Sequence, residues 1–140
     1  DHVVASRTTD DSGKVTGVTL DGSKIGGPID DATVIFPDPM GATGSSLAGV
    51  ISHYAETLHG APRAMVAVHL IVTPEYVTRM TEQFPNLHIF AVRLDRGLSD
   101  TETLQTVPGT HPARERGLTN NHYIVPGAGG VGEVLNNAWI

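Results

Sequence analysis

The sequence predicts an α/β protein with a mostly parallel sheet flanked by helices. Three apolar runs have the composition of strands, at residues 33–36, 64–72 and 87–94. Two helical segments separate them, so the order is strand, helix, strand, helix, strand. A βαβαβ unit of this kind implies right-handed crossovers and parallel pairing of the strands.

The first helix is predicted to begin near Ser45. The apolar residues that follow it recur with the spacing of one helical face, at Leu47, Val50, Ile51, Tyr54 and Leu58. Gly60 and Pro62 close this helix. The continuous apolar run that comes next, residues 64–72, is predicted to be a strand covered on both faces, as in other parallel sheets.

The second helix has a clear start signal. Thr73 is a suitable N-cap, Pro74 suits the first helical position, and Glu75 places an acidic side chain in the first turn. We expect this helix to run to about Phe84. Pro85 then turns the chain into the third strand.

The two ends of the chain carry weaker patterns. Residues 3–6 are predicted to be a short strand end, and residues 15–20 alternate weakly before Asp21 and Gly22, which form a turn signal in a hairpin-like excursion. Residues 95–121 lack periodicity, so we expect a long exposed loop. A short strand at 123–125 and a glycine loop follow.

The composition excludes several classes of function. The net charge is −6, the isoelectric point is near 5.5 and the basic residues are scattered, so we expect no nucleic-acid partner. No apolar run approaches the roughly 18 residues of a membrane helix, so we expect no membrane partner. The chain has no cysteine, which fits a reducing compartment, and a cytoplasmic location is expected.

The strongest candidate site follows the first strand. Asp38 comes directly after it, the small residues 42–46 come next, and a helix begins. Small residues let backbone N–H groups approach a phosphate, and the helix N-terminus adds a partial positive charge. Asp38 is placed to accept hydrogen bonds from ribose hydroxyls at the carboxyl edge of the sheet. A sugar phosphate fits this arrangement, although an ordinary Ser or Thr N-cap has the same pattern.

Other kinds of site are poorly supported. No Lys follows the glycine of the loop, which excludes a Walker loop, and no Gly-x-Ser-x-Gly or His-Glu-x-x-His motif is present. The seven histidines show no metal-ligand spacing. The glycines at 127, 129 and 132 lack the following helix that a dinucleotide fingerprint requires.

Two motifs in this order resemble one family. The segment 34–46, VIFPDPMGATGSS, resembles the phosphoribosyl pyrophosphate loop of phosphoribosyltransferases, and its Asp-Pro-Met core is typical of the uracil-specific branch. The segment 121–129, NHYIVPGAG, resembles the uracil-binding segment of that branch. Residues 73–75 are similar to the family's Ala-Pro-Glu helix start. The chain therefore resembles the C-terminal part of a uracil phosphoribosyltransferase, which implies a three-layer fold of the type I phosphoribosyltransferase kind.

The resemblance implies transfer of the 5-phosphoribosyl group from phosphoribosyl pyrophosphate to uracil, giving UMP and pyrophosphate. It implies catalytic roles for Asp38 and for Arg7, which lies where the family has a pyrophosphate-contacting Tyr-Arg pair. The residues implied for phosphoribosyl pyrophosphate binding are Arg7, Asp38, Pro39, Met40, Gly41, Ala42, Thr43, Gly44, Ser45 and Ser46. Those implied for uracil are Tyr123, Ile124, Gly129, Gly130 and Val131.

The resemblance also implies partners and cofactors. The substrates are small molecules, Mg²⁺ arrives bound with the pyrophosphate rather than through direct protein ligation, and GTP is a candidate effector. A homo-oligomer, either a dimer or a tetramer, is expected. The chain starts at Asp1 without Met, so we expect a preceding portion with the family's pyrophosphate-gripping Leu-Arg-Ala-Gly segment.

The sequence departs from the family pattern at two places. Gly130 stands where the family has an aspartate that contacts phosphoribosyl pyrophosphate, and residues 96–116 are interpreted as an inserted loop near the mouth of the active site. These departures keep a second hypothesis open. A binding or regulatory protein on the same scaffold would sense a nucleotide or phosphoribosyl pyrophosphate without turnover.

Overall fold

The computed structural model describes residues 1–11, 15–124 and 127, apart from the side chains of Arg7 and Val15. Its centre is a parallel sheet of β3 (Thr33–Pro37), β4 (Met40–Gly41), β5 (Ala64–Val72) and β6 (Leu87–Leu94). β5 is the middle strand: β3 and β4 pair with it in turn, and β6 also pairs with it. This arrangement confirms the predicted α/β class and the parallel sheet.

The first strand is interrupted rather than ended. We expected it to stop at Phe36, but β3 continues to Pro37, and the chain rejoins the sheet at β4, whose Met40 pairs with Ile71. Across the gap, the Pro39 carbonyl oxygen accepts hydrogen bonds from the N–H groups of Leu70 and Ile71, at 3.0 and 3.2 Å. The assignment of Met40 and Gly41 to a loop is therefore corrected, since β5 is long enough to pair on both sides of the gap.

The two predicted helices are confirmed. They are α1 (Ser45–Thr57) and α2 (Pro74–Gln83). Thr73 caps α2 as expected, because its hydroxyl oxygen accepts the N–H of Tyr76 at 3.0 Å. None of the helices in the described residues has the length and apolar character needed to cross a membrane.

The core lies between these helices and one face of the sheet. Phe36 packs edge-to-face on Tyr54 of α1, with ring centroids 5.7 Å apart. Each buried apolar side chain of this size stabilises the fold by about 1.5–3 kcal/mol. The buried cluster contains Ile29, Phe36, Leu47, Ile51, Tyr54, Ala67, Val72, Tyr76, Met80 and Leu87.

The opposite face of the sheet is exposed. It carries large apolar side chains from three strands, at Ile35, Val68, Leu70, Phe90 and Val92. The prediction that β5 is covered on both faces is thus wrong for the described residues, which supply the sheet and one helical layer. The sequence of β5 is apolar on both faces of the sheet. Such a run does not reveal which of the two faces a helix covers.

The N-terminal residues form a hairpin of β1 (His2–Thr9) and β2 (Val15–Lys24), paired antiparallel. The hairpin-like excursion predicted with its turn at Asp21 and Gly22 is wrong, because both residues lie inside β2 and the hairpin instead joins β2 to β1. The hairpin packs on α1. At this contact, the Tyr54 hydroxyl donates to the Asp1 carboxylate at 2.9 Å, and Ser23 Oγ lies 3.1 Å from His53 Nε2.

Residues 95–121 are largely exposed, as predicted, but residues 96–116 are not a loop throughout. The segment contains the short helix α3 (Thr101–Leu104), and the Arg96 side chain is buried inside it. The guanidinium donates to the carbonyl oxygen of Thr103 at 2.9 Å and to Glu115 Oε1 at 3.0 Å. A buried arginine with these acceptors organises the segment from within, which periodicity cannot reveal.

Glu115→Ala should loosen this segment. The change leaves the buried Arg96 guanidinium without its carboxylate, which costs about 3 kcal/mol for a buried pair. We expect a lower free energy of unfolding in urea and faster proteolytic cleavage within residues 97–114. Glu102→Ala is the matched control, because Glu102 is 78% exposed beside Arg114 and such pairs contribute about 0–1 kcal/mol. Equal effects of the two substitutions would contradict the inference.

Candidate functional site

The loop between β4 and α1 has the geometry of an anion cradle. Gly44, at φ 77°, is the N-cap of α1 and provides no side-chain cap. The ordinary Ser or Thr N-cap considered from the sequence is therefore not the arrangement found. The first N–H groups of an α-helix have no partner within the helix, so this uncapped end offers donors and a partial positive charge to an anion.

Hydroxyl groups surround the same helix start. Thr43 Oγ1 accepts the N–H of Ser45 at 3.3 Å and donates to Ser45 Oγ at 3.0 Å. Arg79 of α2 also donates to Ser45 Oγ. A hydroxyl has two acceptor positions and one proton, and here both acceptor positions of Ser45 are used. Its proton has no acceptor within the described part of the chain, so it can be donated to a bound anion.

Two glycines allow α2 to lie directly against this loop. A Cβ at Gly41 would come within 2.8 Å of the Tyr76 ring, and one at Gly44 within 3.0 Å of Met80 Sδ. Gly44 also has a positive φ, which side chains disfavour. The close approach of α2 therefore explains the small residues of the loop as much as ligand access does.

Asp38 lies in the gap between β3 and β4. Its N–H donates to the Val68 carbonyl oxygen at 3.0 Å, and its Oδ1 accepts the N–H of Met40 at 3.0 Å. No partner of Oδ2 is found among residues 1–11, 15–124 and 127. One oxygen of the half-buried carboxylate thus fixes the turn, and the other can accept hydrogen bonds from sugar hydroxyls.

A buried histidine of β5, His69, forms a hydrogen bond to the main chain of Asp38. His69 Nδ1 lies 2.6 Å from the Asp38 carbonyl oxygen, and its Nε2 lies 2.6 Å from the Tyr76 hydroxyl oxygen. Since a carbonyl can only accept, Nδ1 carries the proton, and neutral His69 accepts the Tyr76 proton at Nε2. Burial lowers the pKa of His69, opposed by the Asp38 charge and carbonyl, and burial likewise raises the pKa of Tyr76.

The segment before the predicted uracil loop is attached to α2. Glu75 accepts the N–H of Gly117 at 3.1 Å and that of Leu118 at 3.3 Å. Leu118 forms a bridge to Ile124, which is 1% exposed. The predicted strand at 123–125 is thus a single bridge within the described residues. Tyr123 stays partly exposed, and its N–H donates to Thr119 Oγ1 at 3.1 Å.

Asp95 was not among the residues predicted for the site. It ends β6 and is fully buried; its Oδ1 accepts the N–H of Gly97 at 3.1 Å. Its Oδ2 has no hydrogen-bond partner in the described part of the chain. A Cβ at Gly127 would overlap this carboxylate. Gly127 is therefore required to be glycine by the aspartate beneath it.

Several predicted site residues are not located. Gly129, Gly130 and Val131 lie outside the described residues. The backbone of Arg7 lies in β1, opposite Val18, whereas its guanidinium is not described. The roles predicted for these residues therefore remain predictions.

Among the residues predicted for the site, Thr43 lines an open pocket together with His122 of the segment 121–129, whereas Asp38, Tyr123 and Ile124 are not among the lining residues. This open pocket, of about 460 Å³, is lined by Thr43, Glu75, Arg79, Arg116, Leu118, Thr119, Asn120 and His122. Sequence reasoning missed Arg79, Arg116, Glu75 and His69 as neighbours of the site. The one available signal was a single histidine within an apolar strand run. Within the described chain, no group of three acidic or histidine side chains could hold a metal ion.

Comparison with known proteins agrees with the motifs. A family model described as uracil phosphoribosyltransferase matches residues 20–116. This match includes the cradle and Asp38 but ends before Tyr123. A uracil phosphoribosyltransferase of Pyrococcus furiosus is 38% identical over 84 residues, which are 60% of this chain and 34% of that protein. One from Pyrobaculum arsenaticum is 34% identical over 114 residues, or 81% of this chain and 52% of that protein.

A solved structure agrees with the fold. A protein of Aquifex aeolicus superimposes with a TM-score of 0.66 at 24% identity, covering 95% of this chain and 50% of that one. The chain thus spans only between a third and about half the length of the curated relatives described above. The family resemblance seen in the motifs is confirmed.

The buried His69 should make stability depend on pH. Because its pKa is lowered in the fold, the unfolded chain binds a proton below about pH 6.5 that the folded chain does not. We therefore expect the free energy of unfolding to be retained above this pH and to fall as pH decreases from 6.5 toward 5.

Urea denaturation at several pH values measures this effect. His69→Asn, which keeps a donor for the Asp38 carbonyl, should flatten the slope, whereas His59→Asn at an exposed position should not. A slope unchanged by His69→Asn would show that other groups cause the pH dependence.

Proposed function

Since the chain belongs to the uracil phosphoribosyltransferase family, we propose that it holds the phosphoribosyl group and the base in transfer from phosphoribosyl pyrophosphate to N1 of uracil. One observation carries the proposal. The start of α1, whose N-cap Gly44 provides no side-chain cap, follows six residues after Asp38, a carboxylate with an oxygen that has no partner among the described residues. A phosphate and a sugar are the ligand groups that such a pair suits best.

The cradle binds and orients the substrate in this proposal. Thr43, Ser45 and Ser46, with the amides of the first turn of α1, hold the 5-phosphate. Asp38 accepts hydrogen bonds from the ribose hydroxyls. Fixing the sugar at both ends sets the direction from which N1 of the base approaches C1′ of the ribose, and positioning of this kind can contribute about 7–11 kcal/mol.

The bond changes are simple. The bond from C1′ to the pyrophosphate oxygen breaks, the bond from C1′ to N1 forms, and the N1 proton passes to the leaving pyrophosphate or to water. Positive charge develops on the ribose while negative charge develops on the leaving group. The Asp38 carboxylate, held by Met40 and supported by His69, stabilises the positive side. Arg7 is proposed to meet the pyrophosphate.

Mg²⁺ fits this site as a companion of the substrate. It prefers oxygen ligands and usually keeps several waters when bound with phosphates, so the substrate's phosphate oxygens and water would supply its ligands without a protein side chain. When bound, the ion neutralises charge on the pyrophosphate. The base is proposed to lie near Tyr123 and Ile124 and to be recognised through main-chain groups, with Gly129, Gly130 and Val131 completing that side.

Asp38→Asn tests the proposal. The substitution keeps an oxygen for the Met40 N–H but removes the charge, so binding of phosphoribosyl pyrophosphate should weaken by about 1.5–3 kcal/mol, typical of a charged hydrogen bond. Calorimetric titration with Mg²⁺ present gives the affinity. Asp31→Asn is the control. Asp31 is exposed and precedes the start of β3, the end of the strand away from Asp38, and asparagine tolerates its positive φ. If Asp38→Asn left the affinity for phosphoribosyl pyrophosphate unchanged, the loop would only begin α1 and would not bind this substrate.

A second candidate function is a regulatory protein that binds the same ligands without turnover. It is favoured by one sequence observation, Gly130 in place of the family aspartate. Pyrophosphate release from phosphoribosyl pyrophosphate and uracil separates the two candidates, because tight binding without product would support the regulatory protein.

Gly130→Asp should raise the rate of pyrophosphate release if position 130 faces the substrate. Restoring the carboxylate returns a charged contact of about 1.5–3 kcal/mol, or one to two decades in rate. Gly132→Asp, two residues further along the chain, controls for added charge. No gain, or an equal gain in both variants, would mean that the loop has another use.

A further inference from the structure

Arg79 crosses the start of α1. It lies in the middle of α2, and its guanidinium donates to Ser45 Oγ in the first turn of α1. Its Cδ lies 3.3 Å from the position that a Cβ on Gly44 would occupy. The side chain is exposed overall. An arginine from the second helix is thus held over the cradle that the first helix begins.

This placement is electrostatically unfavourable without an anion. The N-terminus of a helix carries a partial positive charge and favours negative groups, yet α1 has no acidic residue in its first turn. Glu75, one turn before Arg79 on α2, is turned toward the N–H groups of Gly117 and Leu118. Among the described residues, no carboxylate forms an ion pair with Arg79.

The surrounding pocket likewise has more basic than acidic side chains. Arg116 lines it together with Arg79 and the cradle residue Thr43. Glu75 is the one acidic residue of this lining, and its carboxylate is engaged with backbone N–H groups. Two arginines, and Thr43 just before the start of α1, therefore line one open space with a single, already engaged, carboxylate.

We propose that Arg79 is a phosphate-binding residue of this site, one that contacts the 5-phosphate of the phosphoribosyl group in addition to the hydroxyls and amides of the cradle. The proposal rests on the proposed function and adds a residue outside both sequence motifs. A guanidinium presents paired N–H donors that match a phosphate, and it is always charged. The hydrogen bond to Ser45 holds the guanidinium beside the cradle until the phosphate binds.

The test compares two ligands that differ only by the phosphate. Calorimetric titration of the intact protein with UMP and with uridine gives the phosphate contribution. Arg79→Gln should weaken UMP binding about 10- to 100-fold, the range of a charged hydrogen bond, and leave uridine binding unchanged. Arg79→Lys should fall between Gln and the wild type, because lysine keeps the charge but not the paired donors.

Arg63→Gln is the matched control. Arg63 is also exposed and loses the same charge, but it lies just before β5, at the opposite edge of the sheet, where it contacts Thr33. It should not change UMP affinity. Thermal denaturation of each variant checks that the fold is kept, and a melt of Arg79→Gln like that of the wild type is expected for an exposed side chain.

The outcomes are distinguishable. If the wild type prefers UMP to uridine and Arg79→Gln retains that preference, the role of Arg79 is overturned while the cradle stands. If Arg79→Gln weakens UMP and uridine equally, the residue acts on the shape of the site rather than on the phosphate, which also overturns the proposal. A wild type that binds both ligands equally would refute the proposed function itself.

Discussion

The turn between β3 and β4 depends on the hydrogen bonds that His69 makes in the core. One ring nitrogen donates to the Asp38 carbonyl oxygen and the other accepts from Tyr76, so a strand, a turn and a helix are joined through one imidazole. These two hydrogen bonds of His69 stabilise the fold in addition to the packing of its ring. Without them the buried Asp38 carbonyl and Tyr76 hydroxyl would be left unsatisfied, which is costly. His69 thus holds the main chain of Asp38, while the Met40 N–H holds one oxygen of its side chain.

The second helix organises both halves of the candidate site. Its Tyr76 and Met80 lie against the glycines of the cradle, and its Glu75 holds the segment that leads to Tyr123 and Ile124. The helix therefore supports both the side proposed to hold the phosphate and the side proposed to hold the base. Its own start is secured by the Thr73 cap, whose hydroxyl also donates to the Ala42 carbonyl oxygen at 2.6 Å. Small changes in α2 would reach both sides.

Burial explains where sequence patterns misled. The run in β5 is apolar on both faces, yet only one face meets α1 and α2 in the described residues, leaving Val68 and Leu70 exposed. Residues 96–116 show the reverse. They lack periodicity, and yet Arg96 and Glu115 are buried together, with Gly109 donating to the same carboxylate at 2.7 Å. Polar burial follows no period of 2 or 3.6, so periodicity cannot detect it.

Local patterns were enough to establish the parallel order of strands, the two long helices, the Thr73 cap and the loop of small residues before α1. Each depends on residues close together in the chain, such as apolar spacing, proline and small residues after a strand. The contacts of His69, Glu75, Arg79 and Asp95 were decided by the tertiary fold alone. These contacts join residues that are 7 to 43 positions apart or that face one another only after packing. A linear sequence does not record which side chains converge when two helices cover one face of a sheet.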